Sequence, residues 1–118
     1  MRMMCTSEVL DHHLKSFAEL NVDGLLSDYA PDAVLFVPTG PLKGTDAIKP
    51  VFESLVSEFS KPGSTFNLEQ RLIDGFHAYI VWNAETADNA YEFATDTFVV
   101  RNGKIVAQSF AAKVKAKR

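Results

Sequence analysis

The chain has 118 residues, 47% hydrophobic and 23% charged, with a net charge of −3. That length makes one domain, residues 1–118, with a single core, and the acidic balance argues against nucleic acid as the main partner. No apolar run approaches the ~18 residues of a membrane span and no leader segment is visible. Cys5 is the lone cysteine, so neither an internal disulfide nor a cysteine metal site is implied. The expected compartment is the cytoplasm. Lys113, Lys115, Lys117 and Arg118 fall in the last six residues and read as a solvated end.

In chain order, the apolar positions Val9, Leu10, His13, Leu14, Phe17 and Leu20 fit one face of a first helix, with Ser7 as its N-cap. A short second helix, "DGLLSDYA", runs from Asp23 and ends before Pro31. "DAVLFVP" is a strand stopped by Pro38, and "TGPLKG" is a loop rich in residues that break regular structure. "TDAIKPVFESLVSEF" is the clearest helix. Ile48, Val51, Phe52, Leu55, Val56 and Phe59 repeat at helical spacing. Thr45 would cap it, and Pro50, which lacks an N–H, predicts an irregular first turn.

After "KPGS" the pattern becomes strands, near 65–73, 76–86, 90–101 and 104–114. They are separated by Asp74-Gly75, Asp88-Asn89 and Asn102-Gly103, hairpin signals of which Asp-Gly and Asn-Gly favour two-residue type I′ turns. Short connections of this kind give an antiparallel meander. Helices followed by such a sheet define an α+β fold. "AYIVWNAETA" and "YEFATDTFVV" are apolar on both alternations, so both sheet faces need cover. The helices supply one cover, and a second copy of the chain, making a homodimer, supplies the other.

Two polar residues stand out against apolar surroundings. His13 lies on the apolar face of the first helix, while His12 points towards the edge of that face. As a core residue His13 would bond a backbone carbonyl; as a functional one it would be a donor or general acid/base. Asp96 shares one strand face with Ala94, Phe98 and Val100. A carboxylate there either anchors a loop, pairs with a cation such as Arg71, or is desolvated so that its pKa rises and it donates to a developing oxyanion. "HH" completes no metal-ligand set, and His77 reads as a surface residue. No cofactor motif is present. Nine Phe and one Trp leave room for an apolar cavity, although Phe36, Phe52, Trp82, Tyr91 and Phe110 also read as core.

"VDGLLSDYAPDAVLFVPTGPLKGTDAIKPVFESL" and "DTFVVRNGKIVAQSF" together resemble the nuclear-transport-factor-2-like superfamily, in its SnoaL-like and ketosteroid-isomerase-like branches. The resemblance implies a curved antiparallel sheet wrapped with three N-terminal helices into a cone around a pocket, commonly dimeric. It implies little about activity, because this fold hosts isomerases, cyclases, dehydratases, hydrolases and proteins that only bind. Carried over by position, the isomerase's oxyanion-hole acid falls on Asp96, a carboxyl that its apolar site keeps neutral. The helix tyrosine donor falls on His13, and the general base falls on Val37, so the base is missing. In those relatives alternate residues of the last strand face the pocket, here Gln108, Phe110 and Ala112. The lining would add Phe17, Tyr29, Val37, Phe52, Val56, Trp82 and Phe98. Three readings stay open. The chain is an isomerase- or cyclase-type enzyme polarising a small apolar carbonyl compound with His13 and Asp96. Alternatively, it is a module binding a small hydrophobic molecule without catalysis, or a structural or regulatory dimer.

Overall fold

The computed structural model describes residues 4–117. Three helices, α1 (Thr6–Ala18), α2 (Val22–Leu26) and α3 (Thr45–Phe59), lie against six strands. The strands are β1 (Tyr29–Val37), β2 (Gly40–Lys43), β3 (Thr65–Asp74), β4 (His77–Glu85), β5 (Asn89–Arg101) and β6 (Lys104–Ala116). Their order across the sheet is β2-β1-β6-β5-β4-β3. The α+β class and the helix-wrapped curved sheet agree with the sequence.

The sheet is mixed and unclosed, which corrects the fully antiparallel expectation. β1 runs parallel to β6, with Leu35 opposite Gln108 and Phe36 opposite Ser109. The chain must return to β1 after four other strands, a long-range pairing that short hairpin signals cannot announce. "TGPLKG" is also not only loop, because Gly40–Lys43 pairs back on β1 with Val37 opposite Gly40. α2 spans five residues, so Asp28 and Tyr29 already lie outside it. The basic tail is strand to Ala116, with Lys113 beside Glu92 and Lys117 beside Glu85; Arg118 lies outside the described residues.

Turn chemistry accounts for the register of the long hairpins. At the β5–β6 turn both Asn102 (φ 52) and Gly103 (φ 73) have positive φ, the demand of type I′. At the β3–β4 turn Asp74 pairs with His77, so the central residues are Gly75 and Phe76, and only Gly75 has positive φ. That turn therefore meets the type II′ requirement instead. Register shifts fall between Leu68 and Gln70, Trp82 and Ala84, Tyr91 and Phe93, and Val99 and Val100. Each bulge adds bend and twist, and together they curl the sheet around the helices.

The helix starts differ from expectation too. Cys5, not Ser7, caps α1, and its backbone N–H donates to the Glu8 carboxylate at 3.0 Å. Gly44, with φ 86, precedes α3 in place of a Thr45 cap. α3 runs unbroken through Pro50. The missing N–H would have met Asp46, which is exposed, so water can take that carbonyl.

The closed end of the cone is packed solid. Val9, Leu10, Ile48 and Ile105 there are buried to 2% exposure or less. α1 is fastened to the sheet by Thr6 Oγ1 donating to the Gly75 carbonyl and by Arg71 against Asp11. Among the described residues no helix is long and apolar enough to cross a membrane. Ile48 sits on α3 with no exposure, so Ile48→Ala should cost about 2–5 kcal/mol, read as a lowered midpoint in urea unfolding at unchanged slope.

Candidate functional site

α1 presents Val9, Leu10, His13 and Ser16 inward, which is the helical repeat acting on an apolar face. β5 alternates, so Ala94, Asp96 and Phe98 turn to the same side and Thr95, Thr97 and Val99 to the other. His13 is 6% exposed and Asp96 7%. Both line one cavity of about 580 Å³ between the helices and the sheet.

Most of the lining expected from sequence faces this space. Phe17, Val37, Phe52, Trp82, Phe98, Gln108 and Phe110 border it. Val56 and Tyr29 do not belong to its wall. Val56 packs against the core, and Tyr29 lies behind the wall, buried to 4% exposure, with its hydroxyl reaching His13 and Gln108. Ala112 likewise packs on the core without bordering the cavity. Phe36, read as core, points to the opposite sheet face and is 51% exposed. Trp82 faces inward, with its ring stacked at 6.2 Å on Phe110 and tilted against Phe66 and Tyr91.

The polar groups at the cavity's inner end form one connected chain. Trp82 Nε1–H donates to Asp96 Oδ2 at 2.8 Å, and Gln108 Nε2–H donates to Asp96 Oδ1 at 2.9 Å. The Tyr29 hydroxyl donates to Gln108 Oε1 and lies 3.4 Å from His13 Nε2. His13 Nδ1–H donates to Asp28 Oδ2 at 3.0 Å, and His12 Nδ1–H donates to Asp28 Oδ1 at 2.7 Å. Arg71 is not a partner of Asp96; its charge faces Asp11.

Asp28 is the residue that sequence reading missed. At 2% exposure it is more buried than either histidine, yet "LLSDYA" reads as a polar helix end. One signal was present: a histidine on an apolar helix face needs an acceptor, and Asp28 is the carboxylate just outside that face.

Burial and partners oppose each other at Asp96. Desolvation raises its pKa above the ordinary carboxylate value, while the bonds from Trp82 and Gln108 and the nearby His13 pull it back. Burial raises the Tyr29 hydroxyl well above its usual range, with the charges of Asp96 and Asp28 adding to the effect.

A second cluster stands at the cavity's outer end. Glu58 on α3 lines the cavity and accepts from Thr86 Oγ1 at 2.5 Å, Asn89 Nδ2 at 2.9 Å and the Tyr91 hydroxyl at 2.8 Å. Burial would raise its pKa, but these three hydrogen bonds outweigh that and hold it below the usual value. They fasten the end of α3 to the β4–β5 loop and the start of β5, and Lys61 against Asp88 reinforces the join. Among the described residues no group of His, Cys, Asp and Glu is placed to hold a metal ion.

Comparison with known proteins agrees with this architecture. A sequence model of the SnoaL-like domain matches residues 10–108. An NTF2-like protein of unknown function from Mesorhizobium loti superposes with a TM-score of 0.77 at 24% identity, over 92% of this chain and 90% of its own. A candidate polyketide cyclase from Sinorhizobium meliloti gives 0.73 at 17% identity, over 88% and 94%. TerC, crystallised with polyporic acid, gives 0.73 at 15% identity, over 92% and 91%. At these identities the likeness is one of fold. No functionally curated protein matches the chain in sequence.

The raised pKa of Asp96 has a signed consequence for stability. An acid whose folded pKa exceeds its unfolded value of about 3.9 binds more protons when folded. Its contribution is therefore favourable below that pH and is lost as pH rises towards the folded value. Asp96→Asn removes this slope. The urea midpoint of the variant relative to wild type should rise from about pH 4 upward until Asp96 is ionised, and a pH-independent difference would count against a desolvated carboxyl.

Proposed function

The chain belongs to the SnoaL-like domain family, and from that premise we propose that it binds a small, largely apolar molecule in the cone. In this reading the ligand's carbonyl or other oxygen lies at the inner end, beside Asp96 and His13. One observation carries the proposal: a cavity of about 580 Å³ has mostly aliphatic and aromatic walls, with His13, Asp96 and Gln108 together at its inner end and Glu58 apart from them. Ligand sites of small molecules have this size and this division of labour. Phe17, Phe52, Trp82, Phe98 and Phe110 supply the apolar contact; Asp96, His13 and Gln108 orient the oxygen. The crystallisation of TerC with polyporic acid supports a ligand of this general kind.

The catalytic extension of the reading is an isomerase- or cyclase-type step on a small carbonyl compound. A carboxyl kept protonated by its surroundings can donate to an oxygen as negative charge grows there. Val37, at the cavity wall, offers no base, so proton removal from carbon has no group at the position where the isomerase keeps one. The alternative is a binding module without chemistry, and Val37 favours it.

We also read the protein as a single domain that pairs into a homodimer through the outer sheet face. The ladder pairs Phe36 with Ser109, Ser109 with Thr97, Thr97 with Tyr79 and Tyr79 with Leu72. That row crosses five strands on the side away from the cavity, with Phe36 and Leu72 exposed at its ends. A broad exposed face of this kind, with Phe36 and Leu72 as its apolar ends and Tyr79, Thr97 and Ser109 between them, is a candidate interface.

Trp82 is the chain's sole tryptophan and faces the cavity, so its fluorescence reports occupancy. Titration with 2-acetylnaphthalene should quench it saturably, and Val51→Phe, which narrows the same cavity, should weaken binding about tenfold or more. Folded protein that gives no saturable signal with this ketone or with a set of aromatic acids would leave the structural reading in its place. Sedimentation of the wild type should give a dimer at micromolar concentration. Thr97→Lys, at the centre of the outer row, should shift it to monomer without altering the Trp82 signal.

A further inference from the structure

Hydrogen bonds along the buried chain constrain where its protons can sit. The Asp28 carboxylate only accepts, so His13 Nδ1 carries a proton towards it. The Asp96 carboxylate also only accepts, which turns Gln108 Nε2 towards it and Gln108 Oε1 towards Tyr29. That oxygen takes the single proton of the Tyr29 hydroxyl. The Tyr29 oxygen and His13 Nε2 can then be bonded only if Nε2 is protonated as well. Every link is made with His13 cationic and Asp96 anionic.

The reverse polarity closes equally well. With Asp96 protonated and the Gln108 amide turned over, Asp96 donates to Gln108 Oε1 and Gln108 Nε2–H donates to the Tyr29 oxygen. The Tyr29 hydroxyl then donates to a neutral His13 Nε2, and Nδ1 keeps its proton on Asp28. Trp82 Nε1–H donates to Asp96 Oδ2 in both settings. The two hold the same number of protons, since one has left His13 Nε2 and one has arrived on Asp96. Neither leaves a buried polar atom without a partner, a condition that the described residues already meet and that a low-dielectric interior enforces.

We propose that His13, Tyr29, Gln108 and Asp96 form a two-setting relay in which the orientation of the Gln108 amide ties the charge of Asp96 to that of His13. Tyr29 and Gln108 are its positioning residues. Desolvation of Asp96 brings the neutral setting within reach of the charged one. Because an amide nitrogen does not pass its proton on, the two interconvert by the Gln108 side chain turning over while the His13 and Asp96 protons exchange with solvent through the cavity. On the ligand-binding reading, a carbonyl oxygen draws the Asp96 proton, whereas a hydroxyl or enol favours the carboxylate. The cavity thus accepts both tautomers of a keto–enol ligand, with the compensating charge appearing at His13. The relay itself is a property of the ligand-free protein and is tested without a ligand.

The test is ¹⁵N NMR of the His13 ring at near-neutral pH. Wild type should show both nitrogens protonated. Asp96→Asn, whose amide donates to Gln108 Oε1, should fix the reverse polarity, so Nε2 loses its proton while Nδ1 keeps one. Gln108→Met separates the relay from plain attraction between charges. It leaves the Asp96 carboxylate in place but frees the Tyr29 hydroxyl to donate to Nε2, so Nε2 should again lose its proton. Should Gln108→Met fail to fold, Tyr29→Phe serves, because in that background Asp96→Asn should leave the His13 spectrum unchanged. A wild-type Nε2 without a proton, while the Asp96 carboxyl ¹³C shift reports an ionised carboxylate, would overturn the relay. So would a doubly protonated ring in Gln108→Met, or an equal effect of Asp96→Asn with and without the Tyr29 hydroxyl.

Discussion

A carboxylate almost wholly removed from water, Asp28, joins the parts of the cone that face one another. Its side chain takes His12 and His13 from α1, and its carbonyl accepts the Ile105 N–H at 2.7 Å, at the start of β6. It therefore sits where the first helix, the entry to the first strand and the last strand meet. An ion this buried is tolerated only when its acceptor capacity is filled, and two imidazole N–H groups and the surrounding dipoles do that. The orientation of the His13 ring follows from this bond. That bond sets the ring beside Tyr29, and the links through Tyr29, Gln108 and Asp96 then run in the polarity set by whether Nε2 also carries a proton.

The curvature of the sheet decides how much of the interior stays open. Where the strands lie close to α1, side chains such as Val9, Leu10 and Ile105 are buried to 2% exposure or less. Beside the bulges at Leu68, Trp82 and Tyr91 a gap remains between the strands and α3, bridged at the helix end by Phe59 and Glu58 against Tyr91. Aromatic rings line that gap without closing it. The Glu58 cluster then matters, because α3 beside an open cavity has less apolar contact to hold it. Three hydrogen bonds to one carboxylate, at the strand-loop end of the helix, offset part of that loss.

What could be read from sequence was what depends on local period and turn chemistry. His13 lies inward because it falls on the i, i+3, i+4 face, and Asp96 lies inward because it alternates with Phe98. The hairpins follow from Asp74-Gly75 and Asn102-Gly103. The parallel β1–β6 pair was not legible, since it joins segments about 75 residues apart and neither segment carries a mark of its partner. Phe36 was misread for a related reason. In an alternating strand, one face meets the cone and the other the outside, and only the neighbouring strand fixes which is which. Asp28 escaped because its burial depends on three elements meeting, while its local sequence is that of a polar helix end.

The completeness of the polar chain bears on how a ligand would be held. No buried side-chain nitrogen or oxygen among the described residues lacks a partner, so an arriving oxygen satisfies no orphan. It must add to a group already bonded or displace one of its partners. The long contact between Tyr29 and His13, at 3.4 Å, is the weakest link and the one most readily exchanged. Affinity would then come from apolar area, at about 25 cal/mol per Å² before the costs of immobilisation. The polar end would choose among ligands of similar shape by which setting of the chain each one favours. A site built this way discriminates by hydrogen-bond polarity more than by strength, and its selectivity rests on residues behind the wall as much as on those that form it.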